Sequence, residues 1–343
     1  MMGWRPNIAC MSALICCGAS AAAQEGSFYQ GKRIDLVVGG NAGGVYDVVA
    51  RSLARHLPAQ IPGTPSVVVQ YMPGAGSIKA AEWAATVGPK DGTAIIALYP
   101  GAILQPLFDP DRRFQFEPQK LQWLGSADSG ARLCVTYHSS RFKSLSNALD
   151  QEMVIGASAP GGSTWDYAWM MKNLSGANLK VVAGYKGTPE LALAMERGEI
   201  DGVCGYGLSA LKSEKPDWFR DKKLNFIVQF AQTPDVELTS LGAPMIWDYV
   251  SGDSRRAVEL ILSQQAFTRP YAVAREVPKE RVAVLRDAFS KAIASPEMRS
   301  EFDAIGSPLA PLAGSTLDTI VSNIFDAPKP IIDIARKAQE ASN

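Results

Sequence analysis

Residues 33–57 read RIDLVVGGNAGGVYDVVARSLARHL. An apolar strand over 34–38 runs through Gly39, Gly40, Asn41, Ala42, Gly43 and Gly44 and enters a helix near Tyr46. Ala50, Leu53, Ala54 and Leu57 then fall at i, i+3, i+4 and i+7, one face of that helix. A strand, a glycine turn and a helix N-terminus bring free backbone N–H groups and the positive end of a helix dipole to one point. Such a point suits an anion.

The same grammar repeats along the chain. A strand over 67–71 meets Pro73-Gly74-Ala75-Gly76-Ser77 and a helix over 78–87, and a third strand spans 93–99. This succession predicts a parallel sheet with helices on its faces. Periodicity is lost from Pro100 to Pro118, which reads as a surface loop. A second series follows, with strands over 133–137, 153–158, 179–183, 202–205 and 225–230 and helices over 165–174 and 189–197. Helices fill the C-terminal third except for an extended stretch over 269–274. The prediction is an α/β protein with the two-lobed, type 2 Venus-flytrap fold, each lobe a mainly parallel sheet flanked by helices. Residues 24–130 plus 266–343, with returning C-terminal helices, form lobe 1, and residues 131–265 form lobe 2.

The first 23 residues stand apart. Arg5 is their only charged side chain, residues 8–17 are mostly apolar, and residues 19–23 supply small side chains. This reads as a signal peptide cut after Ala21 or Ala23 and implies a periplasmic destination. A span would need about 20 apolar residues, and Cys16 stands where a lipobox expects a small residue. Lysine plus arginine and aspartate plus glutamate both number 34 over the 343 residues, so no basic excess points to nucleic acid. Cleavage would leave Cys134 and Cys204, read as two buried thiols in preference to a bridge.

Catalytic signatures are absent from the pattern. Neither glycine loop gives G-x-G-x-x-G or a P-loop ending, and Pro160 stands where a nucleophile elbow needs glycine. His56 and His138 are the only histidines, too few for a His-based metal site. No enzyme, cofactor or metal is expected; a secreted hydrolase or isomerase would have to use one of those histidines. What remains is a set of Gly/Ser-rich loops, 39–46, 72–77, 159–164 and 184–188, each following a strand and opening a helix, where open α/β sheets bind ligands.

With these residues assembled, the chain resembles the solute receptors of the tripartite tricarboxylate transporter system, the Bug-type periplasmic binding proteins. The resemblance rests on Gly43-Gly44-Val45-Tyr46-Asp47 before Val49-Ala50-Arg51, on Pro73-Gly74-Ala75-Gly76, on Pro89-Lys90-Asp91-Gly92 and on Tyr185-Lys186-Gly187. Val45 stands where the family carries a third glycine, and Gly205-Tyr206-Gly207-Leu208-Ser209 departs from the family's polar loop. The resemblance implies a monomeric receptor that closes on a small di-, tri- or aromatic carboxylate and delivers it to membrane permease subunits; a sensor-associated binding protein is the other receptor role. It implies ligand contacts from Gly43, Gly44, Val45, Tyr46 and Asp47, and from Ala75, Gly76 and Ser77, with backbone N–H groups around 43–46 and 75–77 holding one carboxylate. Asp47 is expected to cap its helix rather than touch an anion. From the second lobe it implies Ser158, Gly162, Ser163 and Thr164, with Tyr185 and Tyr206, and with Tyr46 and Trp165, as walls.

Overall fold

The computed structural model describes residues 28–304 and 309–342; the leader over 1–23 lies outside the described residues. In the N-terminal part, β1 (Arg33–Val38), α1 (Val45–His56), β2 (Ser66–Tyr71), α2 (Ile78–Thr86), β3 (Ala94–Ala97), α3 (Pro100–Phe108) and β4 (Gln122–Ser126) follow one another. Strands β2, β1 and β3 are parallel neighbours in that order, joined by α1 and α2. Ile34, Leu36 and Val38 of β1 are fully buried and meet Val49, Ala50 and Leu53 of α1 in one core, so the helical face read from spacing is the one that packs.

Helix α3 replaces the loop expected after Pro100. Proline at the first helical position has no N–H to leave unpaired, and Ala102, Ile103 and Leu104 are buried. Pro106 lies inside the helix, where it forfeits the bond to the Ala102 carbonyl, and two prolines in nine residues disguised the element.

The second sheet comes from β5 (Arg132–Tyr137), β6 (Met153–Gly156), α4 (Ser163–Leu174), β7 (Leu179–Val182), α5 (Thr188–Glu196), β8 (Gly202–Gly207), α6 (Leu208–Glu214) and β9 (Leu224–Phe230). Its strand order is β7-β6-β8-β5-β9. After α7 (Gly252–Leu262) the chain returns as β10 (Pro270–Val273), which inserts antiparallel between β3 and β4. The extended stretch read before Pro278 is this returning strand. Helices α8 (Lys279–Ala294) and α9 (Pro296–Ala304), the edge strand β11 (Leu312–Ala313), α10 (Gly314–Phe325) and α11 (Lys329–Gln339) complete the described chain. The first sheet runs β11-β4-β10-β3-β1-β2, and each sheet has a parallel half and an antiparallel half. The fold is the two-lobed binding-protein architecture that the strand–loop–helix series predicts, but the sheets are mixed rather than mainly parallel, because β10 returns antiparallel between β3 and β4 and β5 pairs antiparallel with both β8 and β9. No helix among the described residues is long and apolar enough to cross a membrane.

Helix α11 does not simply return to the first lobe. It packs along α4 and α7, where the Trp165 indole N–H donates to Gln339 O at 3.2 Å and Asn173 Nδ2 donates to Ala338 O at 3.0 Å. Ile331, Ala335 and Ala338 are buried on one apolar stripe of this helix.

Cys134 on β5 and Cys204 on β8 are bonded as a disulfide, which corrects the two-thiol reading. Antiparallel pairing of β5 with β8 makes them register partners across a separation of 70 residues, something spacing alone does not reveal. Closing so long a loop restricts the unfolded chain, so replacing both cysteines with alanine is expected to cost about 2–4 kcal/mol. Urea unfolding of the double variant, and of the wild type with and without reductant, measures this; coincident curves would contradict a bridging role.

Candidate cleft between the lobes

A cleft of about 1010 Å³ lies between the lobes. Residues 41–44, Tyr46 and Tyr99 line it from the first lobe, and Ser158, residues 161–164 and residues 207–210 from the second. Gly44 is the N-cap of α1 and Gly162 the N-cap of α4, so both helices bring their positive ends to it. Gly43 adopts φ +94°, a turn that a side chain would strain, and its N–H donates to Asp47 Oδ2 at 2.8 Å. That N–H is therefore spent on the helix.

Asp47 is buried beneath the loop rather than facing the cleft. It accepts from Arg51 Nε at 2.7 Å and from the Tyr71 hydroxyl at 2.5 Å. Burial pushes its carboxyl pKa up, but the hydrogen bonds from Arg51, Tyr71 and Gly43 outweigh this and hold it below the ordinary range.

The other sequence-derived positions divide. Gly43, Gly44, Tyr46, Ser158, Gly162, Ser163 and Thr164 come together on the cleft. Thr164 Oγ1 donates to Ser158 Oγ at 2.7 Å, and the Ser158 N–H donates to Thr164 Oγ1 at 3.0 Å. Val45 is the first residue of α1, and its side chain lies outside the described part. Gly76 and Tyr185 line a separate recess of about 190 Å³. Ala75, Gly76 and Ser77 all have positive φ, and Ser77 is buried. Its hydroxyl donates to Gly39 O at 3.1 Å and accepts from the Tyr99 N–H at 3.0 Å, tying three loops together. Ala75 and Ser77 line neither space. Tyr206 is fully buried and donates to Glu214 Oε2 at 2.6 Å, so its acid partner, not its ring, reaches the cleft.

The Pro-Gly-Ala-Gly loop and the start of α3 instead meet the second lobe. A Cβ at Gly76 would lie 3.2 Å from Pro160 O, and one at Gly101 only 2.3 Å from Gly161 O. These glycines set how closely the lobes approach.

The residues missed by sequence reasoning sit at the crossings. Asp128 and Arg269 form a buried ion pair, with Ser209 Oγ donating to Asp128 Oδ2 at 2.9 Å and the Ala310 N–H to Oδ1 at 3.2 Å. The crossings are tied by Thr268 N–H to Asp128 O at 3.0 Å and Ala127 N–H to Arg269 O at 2.9 Å. The Tyr46 hydroxyl reaches across to Thr268 O at 2.5 Å.

Arg132 opens β5 beside this crossing, lines the cleft and is only 7% exposed. No carboxylate of the described residues lies within ion-pair distance of it, and its Nε has no acceptor. A buried, unpaired guanidinium is costly to keep unless something else completes it. The sequence signal for it was slight: an arginine just before the strand read over 133–137, two residues after Gly130, where one lobe gives way to the other.

Asp166, in the first turn of α4, is buried behind Arg132 and accepts from the Gly161 N–H at 3.3 Å. Burial pushes its pKa up to about 7 from an ordinary 3.8, against the lowering effects of Gly161 and the Arg132 charge. The folded protein therefore holds a proton that the unfolded chain releases between those values. The associated stability is complete below pH 4 and is lost as pH rises towards 7, at up to about 1.4 kcal/mol per pH unit. Asp166→Asn is expected to flatten that dependence and to be more stable than wild type at pH 8; equal slopes in urea unfolding from pH 5 to 8 would refute it.

Neither histidine lies on the cleft. His56 Nε2 meets Glu301 Oε1 at 2.9 Å on the outer face of α1, and His138 stacks near Tyr137 at 4.6 Å. Among the described residues no group of three or more His, Cys, Asp or Glu is placed to hold a metal.

No protein-family model and no curated protein sequence matches the chain. Solved structures do. The periplasmic binding protein BugD superposes with a TM-score of 0.68 at 17% identity, over 90% of this chain and 98% of its own. The chain shares the fold of such binding proteins. MatC from Rhodopseudomonas palustris, solved with bound malate, gives 0.66 at 18% identity, covering 88% of this chain and 99% of that one. An R. palustris protein solved with adipate gives 0.65 at 18%, covering 89% and 97%.

Proposed function

We propose that this chain is a periplasmic solute receptor that binds a small carboxylate between its lobes and delivers it to the membrane subunits of a tripartite tricarboxylate-type transporter. The observation that carries this is Arg132, buried without a counter-ion on a cleft that two helix N-termini also approach. A carboxylate is the planar, bidentate partner a guanidinium lacks there. The malate and adipate held by two proteins of the same fold, the leader-like first 23 residues and the family-like loops support the same reading. The catalytic alternative lacks its base, since both histidines lie away from the cleft.

The test is a thermal-shift and calorimetric panel of mono-, di- and tricarboxylates, aromatic ones included, with sugars and simple cations as controls. At least one carboxylate should raise the melting temperature and saturate with one site per chain. A panel in which only a sugar or a cation binds would overturn the proposal.

A further inference from the structure

Among the charged side chains that line the cleft, Arg132 and Glu214 are of opposite sign and neither has an ionic partner within ion-pair distance among the described residues. Arg132 supplies an unpaired cation. On the same second-lobe wall, Glu214 at the end of α6 faces the cleft with no cation within ion-pair distance among the described residues. Apart from Arg132 itself, every neighbouring base except one is committed elsewhere: Lys212 to Glu237, Lys215 to Glu196 and Arg269 to Asp128. The exception on this wall, Lys186, is exposed to solvent.

Glu214 is held in place rather than left to swing. The Tyr206 hydroxyl donates to its Oε2 at 2.6 Å, and Thr188 Oγ1 to its Oε1 at 2.9 Å. Two donors from β8 and α5 fix the carboxylate plane, which is how a recognition group is pre-organised. Gly207, the register partner of Arg132, is the N-cap of α6, and a Cβ there would crowd Arg132 Nη1 at 3.2 Å. At about 1.5 Å per residue, α6 carries Glu214 on the order of 10 Å from that position.

Resting on the receptor reading above, the geometry points to a two-pole ligand: a carboxylate held by Arg132 that also bears a cationic nitrogen for Glu214. Such a zwitterion neutralises both unpaired charges at once. A dicarboxylate satisfies Arg132 and sets its second charge against Glu214, a like-charge contact in a partly desolvated site.

The experiment compares matched chains by calorimetry on the wild-type protein: 4-aminobutyrate with succinate, 5-aminovalerate with glutarate, and 6-aminohexanoate with adipate. The expected result is that at least one amino acid binds ten-fold or more tightly than the diacid of equal length. Diacids that match or beat their amino counterparts at every length would overturn the two-pole ligand and leave the receptor reading standing. Binding by neither series would overturn the two-pole ligand, and the receptor reading falls with it only if the wider carboxylate panel also fails to bind. Glu214→Gln, which keeps an acceptor oxygen for Tyr206 or Thr188, should bring the amino-to-diacid ratio to within about two-fold of unity with diacid affinity kept or raised. A ratio that stays at its wild-type value would remove Glu214 from recognition. The wild-type series decides the ligand class even if that variant does not fold.

Discussion

Replacing Arg132 with methionine is expected to weaken carboxylate binding by at least about 100-fold and to leave the ligand-free protein as stable as wild type or more so. The two halves have one cause. Without ligand, the guanidinium is buried with no counter-ion within ion-pair distance, its Nε has no acceptor, and its neighbours are the Tyr46 and Tyr167 hydroxyls, the Tyr167 ring at 6.0 Å and Asp166, whose pKa burial raises to about 7. Neutral hydroxyls compensate only part of its desolvation, so a methionine that fills much of the same space removes a penalty. With ligand bound, the same group becomes a charge-assisted, bidentate partner in a confined site, and truncating one member of such a pair costs about 2–5 kcal/mol. Arg132→Lys keeps the charge and loses the fork, and should fall between. Calorimetry with the best carboxylate from the panel, alongside melting of the ligand-free proteins, gives both quantities. An Arg132→Met protein that binds as wild type removes the anchor. One that melts far below wild type makes Arg132 a structural residue, since a binding group trades stability for function and a structural one does not.

How far the sequence carried can be judged from particular elements. The strand–loop–helix at 33–57 was legible because one residue pattern reported both its strand and the buried face of its helix, and the structure packs that face. Helix α3 was not, because Pro100 at its first position and Pro106 inside it both look like loop punctuation, although the first of them suits a helix start. The glycines were legible as special but not in their use. Gly43 turns the chain at the cleft, whereas Gly76 and Gly101 let the lobes touch, and local spacing cannot distinguish a gap for a ligand from a gap for another backbone. The charged residues of the cleft were illegible for a deeper reason. Asp128 and Arg132 flank the first crossing, Glu214 lies some eighty residues further on and Arg269 sits at the second crossing, so they share one cleft only through the fold. A cation's significance lies in whether an acid stands beside it, and that is a property of the packed structure.

The largest stability effect is expected at the crossing itself, in Asp128→Ala. Asp128 and Arg269 are each about 5% exposed on their side chains, and the acid also receives the Ser209 hydroxyl and the Ala310 N–H. Removing the carboxylate leaves a buried guanidinium and two donors with no acceptor, which costs about 3–5 kcal/mol. The loss should be visible in both lobes, because Asp128 and Arg269 lie on adjacent connecting segments whose backbones are also bonded to each other. The control is the pair replaced together, Asp128→Leu with Arg269→Met. If the cost arises from the orphaned charge, the double variant recovers most of the stability, because an apolar pair needs no solvation. If it arises from the hydrogen bonds to Ser209 and Ala310, the double variant stays as low as the single one. Urea unfolding of wild type, Asp128→Ala and the double variant separates the two. A single variant within about 1 kcal/mol of wild type would mean that water reaches the crossing and solvates Arg269, and that the connection between the lobes is held by its backbone bonds rather than by the ion pair.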